Sequence, residues 1–188
     1  MLTFETKCEV TEVGLDVVEF NGYKYKVSKA KIAKIEDFYI FTRVKKSVQV
    51  GDCLNVSTCC LTDYRKDGID TLALRIEEFE IVPKEQFEPL DKFSVRVNGC
   101  VLRTSKSVVR YVGPARTPLL KATIRIYNEN RKVFTVLLVG YCSSVKVLDS
   151  IVNDSYVDVD ATVRRQCENK GSYQLNIEDF KYVKKGEN

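Results

Sequence analysis

The chain has 188 residues, 44% of them hydrophobic and 30% charged, with a formal net charge of +4, enough to bury a core in one large domain or two small ones. It contains no histidine, which removes the commonest general base and imidazole metal ligand, and no apolar run approaches the roughly 18–20 residues of a membrane span. The opening MLTFETKCEV has neither the basic lead nor the apolar block of a signal peptide, so the sequence predicts a cytoplasmic protein.

The first half begins FETKCEVTEVGLDVVEFNGYKYKV: a strand, a kink at Gly14, a short strand VVEF, an Asn21-Gly22 turn and a returning strand. Asn-Gly favours the type I′ geometry of a two-residue hairpin. In YKYKV, Tyr23 and Tyr25 share one side and Lys24 and Lys26 the other, which predicts tyrosines inward and lysines outward. A third strand, FYIFTRV, occupies 38–44. Leu54, Val56 and Thr58 then alternate with Cys53, Asn55 and Ser57, and a polar turn with Lys66, Asp67 and Gly68 leads into LALRIEEFEIV, which reads as strand, turn, strand. Pro83 and Pro89 bracket the charged segment that follows, the expected joint.

The second half repeats the plan. FSVRVNGCVLR is its first strand, VVRYV stands in place of VVEF, and a turn with Gly113, Pro114 and Pro118 precedes LLKATIRIY; VFTVLLVG is the third strand at 133–140. Val145, Leu148, Ile151 and Val152 then fall at helical spacing, where the first half has only the short KKSVQVGD. Val157, Val159, Ala161 and Val163 open a closing hairpin that ends in YQLNIEDFKYV. Leu74, Ile76, Glu77, Phe79 and Val82 match Leu175, Ile177, Glu178, Phe180 and Val183 at a constant offset of 101, the sign of an internal repeat. Five strands with a helix between the third and fourth is the plan of the OB-fold, a small Greek-key barrel. The sequence therefore predicts an all-β chain of two tandem five-stranded OB-fold barrels, 1–84 and 92–188, joined by the linker 85–91, with the short helix in the second.

No GxxxxGK[ST], GxGxxG or GxSxG pattern occurs, so phosphate cradles and nucleophile elbows are unsupported and no enzyme is expected. Neighbouring carboxylates such as Glu77-Glu78 face opposite ways on a strand and read as solvated surface. Of seven cysteines the only close pair, Cys59-Cys60, also points to opposite faces, which predicts reduced, partly buried thiols and no metal site. Neither a cofactor nor a small-molecule substrate is implied.

Charge is unevenly shared: 13 Lys and Arg against 16 Asp and Glu in residues 1–90 (net −3), and 17 against 10 in residues 91–188 (net +7). The basic half is the candidate for a polyanion. Lys121, Thr123, Arg125 and Tyr127 alternate with Leu120, Ala122, Ile124 and Ile126, so they face outward, on the strand that OB-folds use for ligands. Arg110, Tyr111, Arg164, Arg165 and Tyr173 join them as candidates, because a cationic groove with aromatic platforms holds single strands. Lys24 and Lys26 are secondary candidates in the first half.

On VNGCVLR, VVRYV, TPLLKATIRI, VFTVLLVGY and YVDVDATVRR, the second half resembles the bacterial single-stranded DNA-binding protein family and its relative, primosomal replication protein N; VVEFNGYKYKV and the repeat extend the resemblance to the first. The resemblance implies sequence-independent binding of single-stranded DNA in replication, repair or DNA transfer, with RNA as a second candidate and a homo-oligomer of barrels as the usual assembly. Several features depart from the family: Val133 and Val139 stand where its third strand carries stacking aromatics, Glu168 where another is expected, and there is no tryptophan. The closing YVKKGEN has no acidic tail, and in this the chain looks more like primosomal protein N or a phage or mobile-element member. The alternative is an OB-fold adaptor that binds a protein partner or a second copy through its sheet edges or the apolar stripe Val133, Leu137 and Val139 and does not bind DNA.

Overall fold

A computed structural model describes residues 4–103, 110–127, 133–141, 156–166 and 172–183. The chain divides into two compact units, Met1–Ser94 and Val95–Asn188. The first contains β1 (Phe4–Phe20), β2 (Tyr23–Ile32), β3 (Ile35–Arg43), β4 (Cys53–Lys66) and β5 (Ile69–Val82). They close into a barrel in the order β1-β2-β3-β5-β4, with β1 pairing β4 and only β3 against β5 running parallel. That is the five-stranded Greek-key closure of an OB-fold.

Alternation produces the barrel. Cys8 and Val10 on β1, Ala30 and Ile32 on β2, Phe38 and Ile40 on β3, Leu54 and Val56 on β4, and Leu74 and Ile76 on β5 are all buried, each at every second residue of its strand. β1 reaches its full length by bending at Gly14, whose φ is +75° and which lies within the register shift between Glu12 and Asp16 of the β1–β2 ladder. Two positive-φ pairs turn the hairpins, Asn21 (48°) with Gly22 (78°) and Asp67 (51°) with Gly68 (81°), the type I′ signature that the Asn-Gly dipeptide predicts. The loop after β3 is tied back to β1, where the amide of Gly51 donates to the carbonyl of Val10 and the amide of Val10 to that of Asp52, both at 2.8 Å.

After β5 comes one 3₁₀ turn, Lys84–Gln86. The sequence starts the second domain at residue 92, yet Phe93 is buried and stacks edge-on against Phe38 at 5.1 Å. The unit boundary falls after it because this ring completes the first core.

The second unit contains β6 (Ser94–Arg103), β7 (Arg110–Val112), β8 (Thr117–Tyr127), β9 (Val133–Tyr141), β10 (Tyr156–Arg165) and β11 (Tyr173–Val183). They form one sheet in the order β6-β10-β11-β9-β8-β7, with a further β6–β8 pairing. β9 and β11 are again parallel, Leu175 lying beside Leu138 as Leu74 lies beside Ile40. The helix expected around Val145–Val152 lies outside the described residues. Among the described residues, no helix is long and apolar enough to cross a membrane.

The space around the Cα of Gly14 is open, so a side chain there meets no atom and suffers only from the left-handed backbone. Gly14→Ala should therefore cost about 1–2 kcal/mol, read as a lowered urea midpoint at unchanged slope.

Candidate nucleic-acid interface

The outward stripe of β8 forms as the alternation requires: Ala122, Ile124 and Ile126 are buried, Lys121, Thr123 and Arg125 are partly exposed, and Tyr127 is 45% exposed. Register extends the stripe across the sheet. Thr123 pairs with Leu137 on β9, Leu137 with Gln174 on β11, and Gln174 with Arg164 on β10. A second row runs Lys121, Val139, Asn176, Thr162. Paired residues share a face, so Lys121, Arg125, Tyr127 and exposed Arg164 stand on one surface.

The other candidates are placed differently. Arg165 is exposed but alternates with Arg164 onto the opposite face. Its partner Tyr173 is only 6% exposed, because it shares the inward side of β11 with Leu175; the ring is core and not a stacking platform, a correction that the alternation in YQLNI already contained. Tyr111 is 61% exposed with the Arg116 guanidinium 5.4 Å from its ring centroid, and it pairs with Pro118, which alternates with the Lys121 stripe. Arg110 pairs with Leu119 through the backbone. The apolar stripe offered for protein docking is reduced, since Val139 is 1% exposed. In the first unit Lys24 and Lys26 lie across from Glu19 and Val17, on the opposite side of β2 from Tyr25 and Val27.

Part of the corresponding outer face of the first unit is covered. Tyr25, Val27, Phe41, Tyr64 and Ala73 form a buried cluster there, with Leu15, Val18, Phe20 and Tyr39 packed on it. At its edge, Glu77 is not the solvated carboxylate that the sequence suggests. It accepts from the Tyr25 hydroxyl at 2.9 Å and Arg43 Nε at 2.9 Å, and Arg75 Nε lies 2.8 Å away with its side chain 7% exposed. Burial raises the Glu77 carboxyl, but the hydrogen bonds from Tyr25 and Arg43 and the charges of both arginines outweigh it and hold the group below the ordinary carboxylate value. Period-2 alternation of Arg75 and Glu77 is the signal that could have found the pair.

No protein-family model matches the chain, and no curated protein sequence does. Among solved structures, the chain is similar to a deletion mutant of the single-stranded DNA binding protein from Thermus aquaticus, with 11% identity over 96% of this chain and 95% of that one and a TM-score of 0.62. Matches to half of the chain include the protein priB from Ralstonia solanacearum (14% identity, 48% of this chain and 98% of that one, TM-score 0.39). Another is the SSB domain of a protein from Synechococcus sp. (14% identity, 50% of this chain and 98% of that one, TM-score 0.41). The Thermus likeness, at its low identity, is one of fold.

Since the folded state lowers the Glu77 pKa, its contribution to stability is complete above the unfolded carboxylate value and is lost as pH falls through the lowered one. Glu77→Gln should cost about 1.5–3 kcal/mol at neutral pH, the range for hydrogen bonds to a charged group. It should also flatten the acid limb of a urea-midpoint profile against pH.

Proposed function

We propose that the chain is a tandem of two OB barrels whose second unit binds single-stranded DNA without regard to sequence, coating or protecting it during replication, repair or transfer. The carrying observation is the shared face of Lys121, Arg125, Tyr127 and Arg164, assembled by register from two strands of the half with net charge +7. Equivalent strand pairings in the two units support the tandem, and the Thermus fold likeness, to a protein named for binding single-stranded DNA, supports the ligand. Lys121, Arg125 and Arg164 would neutralise phosphates, and Tyr127 would offer a base one ring to stack on. No reaction is required of any residue.

Tyr127 and Tyr141 are the exposed rings described on β8 and β9, so affinity should lean on charge and fall steeply with salt. Fluorescence anisotropy with labelled dT and rU oligomers at two salt concentrations measures this and ranks DNA against RNA. Arg125→Ala should weaken binding to every sequence alike and lower the salt slope by about one. Tyr127→Ala should cost roughly 1–3 kcal/mol with little change of slope, because stacking releases few ions. If both variants bind as the parent does, the face is wrongly assigned; if the parent binds neither oligomer, the adaptor reading replaces this one. For the tandem, limited proteolysis should cut first between residues 83 and 91, and a single protected core with no fragment of either unit would count against it.

A further inference from the structure

Both units can be superposed by register alone. Matching the pairs Leu74–Ile40 and Ser28–Ile40 to Leu175–Leu138 and Ala122–Leu138 sets Val27 on Lys121, Phe41 on Val139, Arg75 on Asn176 and Thr62 on Arg164. The part of the surface around Lys121 and Val139 in the second unit is therefore, in the first, the surface of the buried aromatic cluster, while Arg125 falls on Lys31, which is exposed and forms an ion pair with Glu36 at 2.6 Å.

Its cover comes from the chain's own hairpins. Beyond Gly14, β1 turns Phe20 onto the cluster, 5.6 Å from the Phe41 centroid and 5.7 Å from Tyr25, and Phe20 also lies 5.6 Å from the Arg75 guanidinium. From the opposite side the β4–β5 hairpin brings Tyr64 to 5.3 Å from Phe41 and 4.9 Å from Tyr39. The hairpins meet where the Tyr64 hydroxyl donates to Asp16 at 3.3 Å. These are the two loops that flank the ligand face of an OB-fold, joining strands one to two and four to five. Here they fill the cleft between them.

We propose that the first unit's strand-binding face is closed by the chain itself, with the β1 arm and the β4–β5 hairpin as its occupants, so that a bound single strand runs over the second unit alone. The second clause rests on the function proposed above; the closure stands without DNA. A cluster at 5% exposure or less has no ring face to offer a base, and opening it would expose the Tyr25 and Phe41 rings to water.

Hydrogen exchange read by mass spectrometry on the full chain separates the two clauses. In the free parent, segments 15–20 and 61–66 should exchange as slowly as β3. Phe20→Ala should accelerate both segments together, by about tenfold or more, as one cooperative opening. Should that variant unfold the first unit, Tyr64→Phe, which removes only the bond to Asp16, must accelerate 15–20 along with 61–66. Fast exchange of either segment in the parent, or acceleration confined to the substituted hairpin, overturns the closure. With a dT oligomer bound, residues 117–127 should gain protection and the two arms none. Protection gained in the arms overturns the proposal, whereas protection gained nowhere removes the binding reading and leaves the closure decided by the free chain.

Discussion

The parallel contact between β3 and β5 governs what the first unit can be. Every other pairing in its barrel is antiparallel, and a parallel pair needs a long crossover. Here β4 and its loops supply it. The contact inserts β5 between β3 and β4, which sets Phe41 beside Arg75 and Ile40 beside Leu74. One of these pairs faces the barrel core and the other faces out, so closing the barrel also fixes the chemistry of its outer surface. The second unit makes the same contact and sets Val139 beside Asn176.

Glu77 and Glu178 show how far one position can diverge inside a shared frame. Glu77 gathers the Tyr25 hydroxyl and two guanidinium groups, whereas Glu178 is exposed and accepts from the Thr162 hydroxyl. The difference lies in the neighbours: by register, Tyr25, Arg43 and Arg75 are replaced in the second unit by Leu119, Tyr141 and Asn176. A buried ion pair gains little over an apolar substitute, but removing one partner is costly. The Glu77 group therefore ties β2, β3 and β5 together at the edge of the cluster.

Alternation made β8 readable, because the inward or outward choice for Lys121 and Arg125 depends only on their own strand. The type I′ turn at Asn21-Gly22 and the bend at Gly14 were equally local. Tyr23 and Tyr25 mark where this stops. Both lie on one side of β2 as the pattern says, yet Tyr25 is buried while Tyr23, next to the turn, is 54% exposed with Arg43 4.5 Å from its ring centroid. Distance along the strand from the hairpin end decided burial, not parity. Glu77 was misread for the complementary reason: the donors that bury it, Tyr25 and Arg43, come from strands far away in the chain, and only closure brings them there.

Under the proposed function, the charge asymmetry has a physical reason. An outer face packed with Phe41, Tyr25 and Tyr64 draws its stability from burial and tolerates an acidic surround, and the half that contains it has a net charge of −3. A face left open for a polyanion has to keep its cations partly solvated and spaced along a strand, as Lys121 and Arg125 are, because an ammonium or guanidinium buried without a partner is strongly disfavoured. The two units thus differ on this surface, one covered by the chain's own rings at Tyr25 and Phe41 and the other carrying the partly exposed Lys121, Arg125, Gln174 and Asn176. If the second unit binds single strands as proposed, its partly exposed Lys121 and Arg125 would contribute charge and its exposed Tyr127 a stacking ring, and a larger share of charge would favour contacts that form and release quickly along a strand.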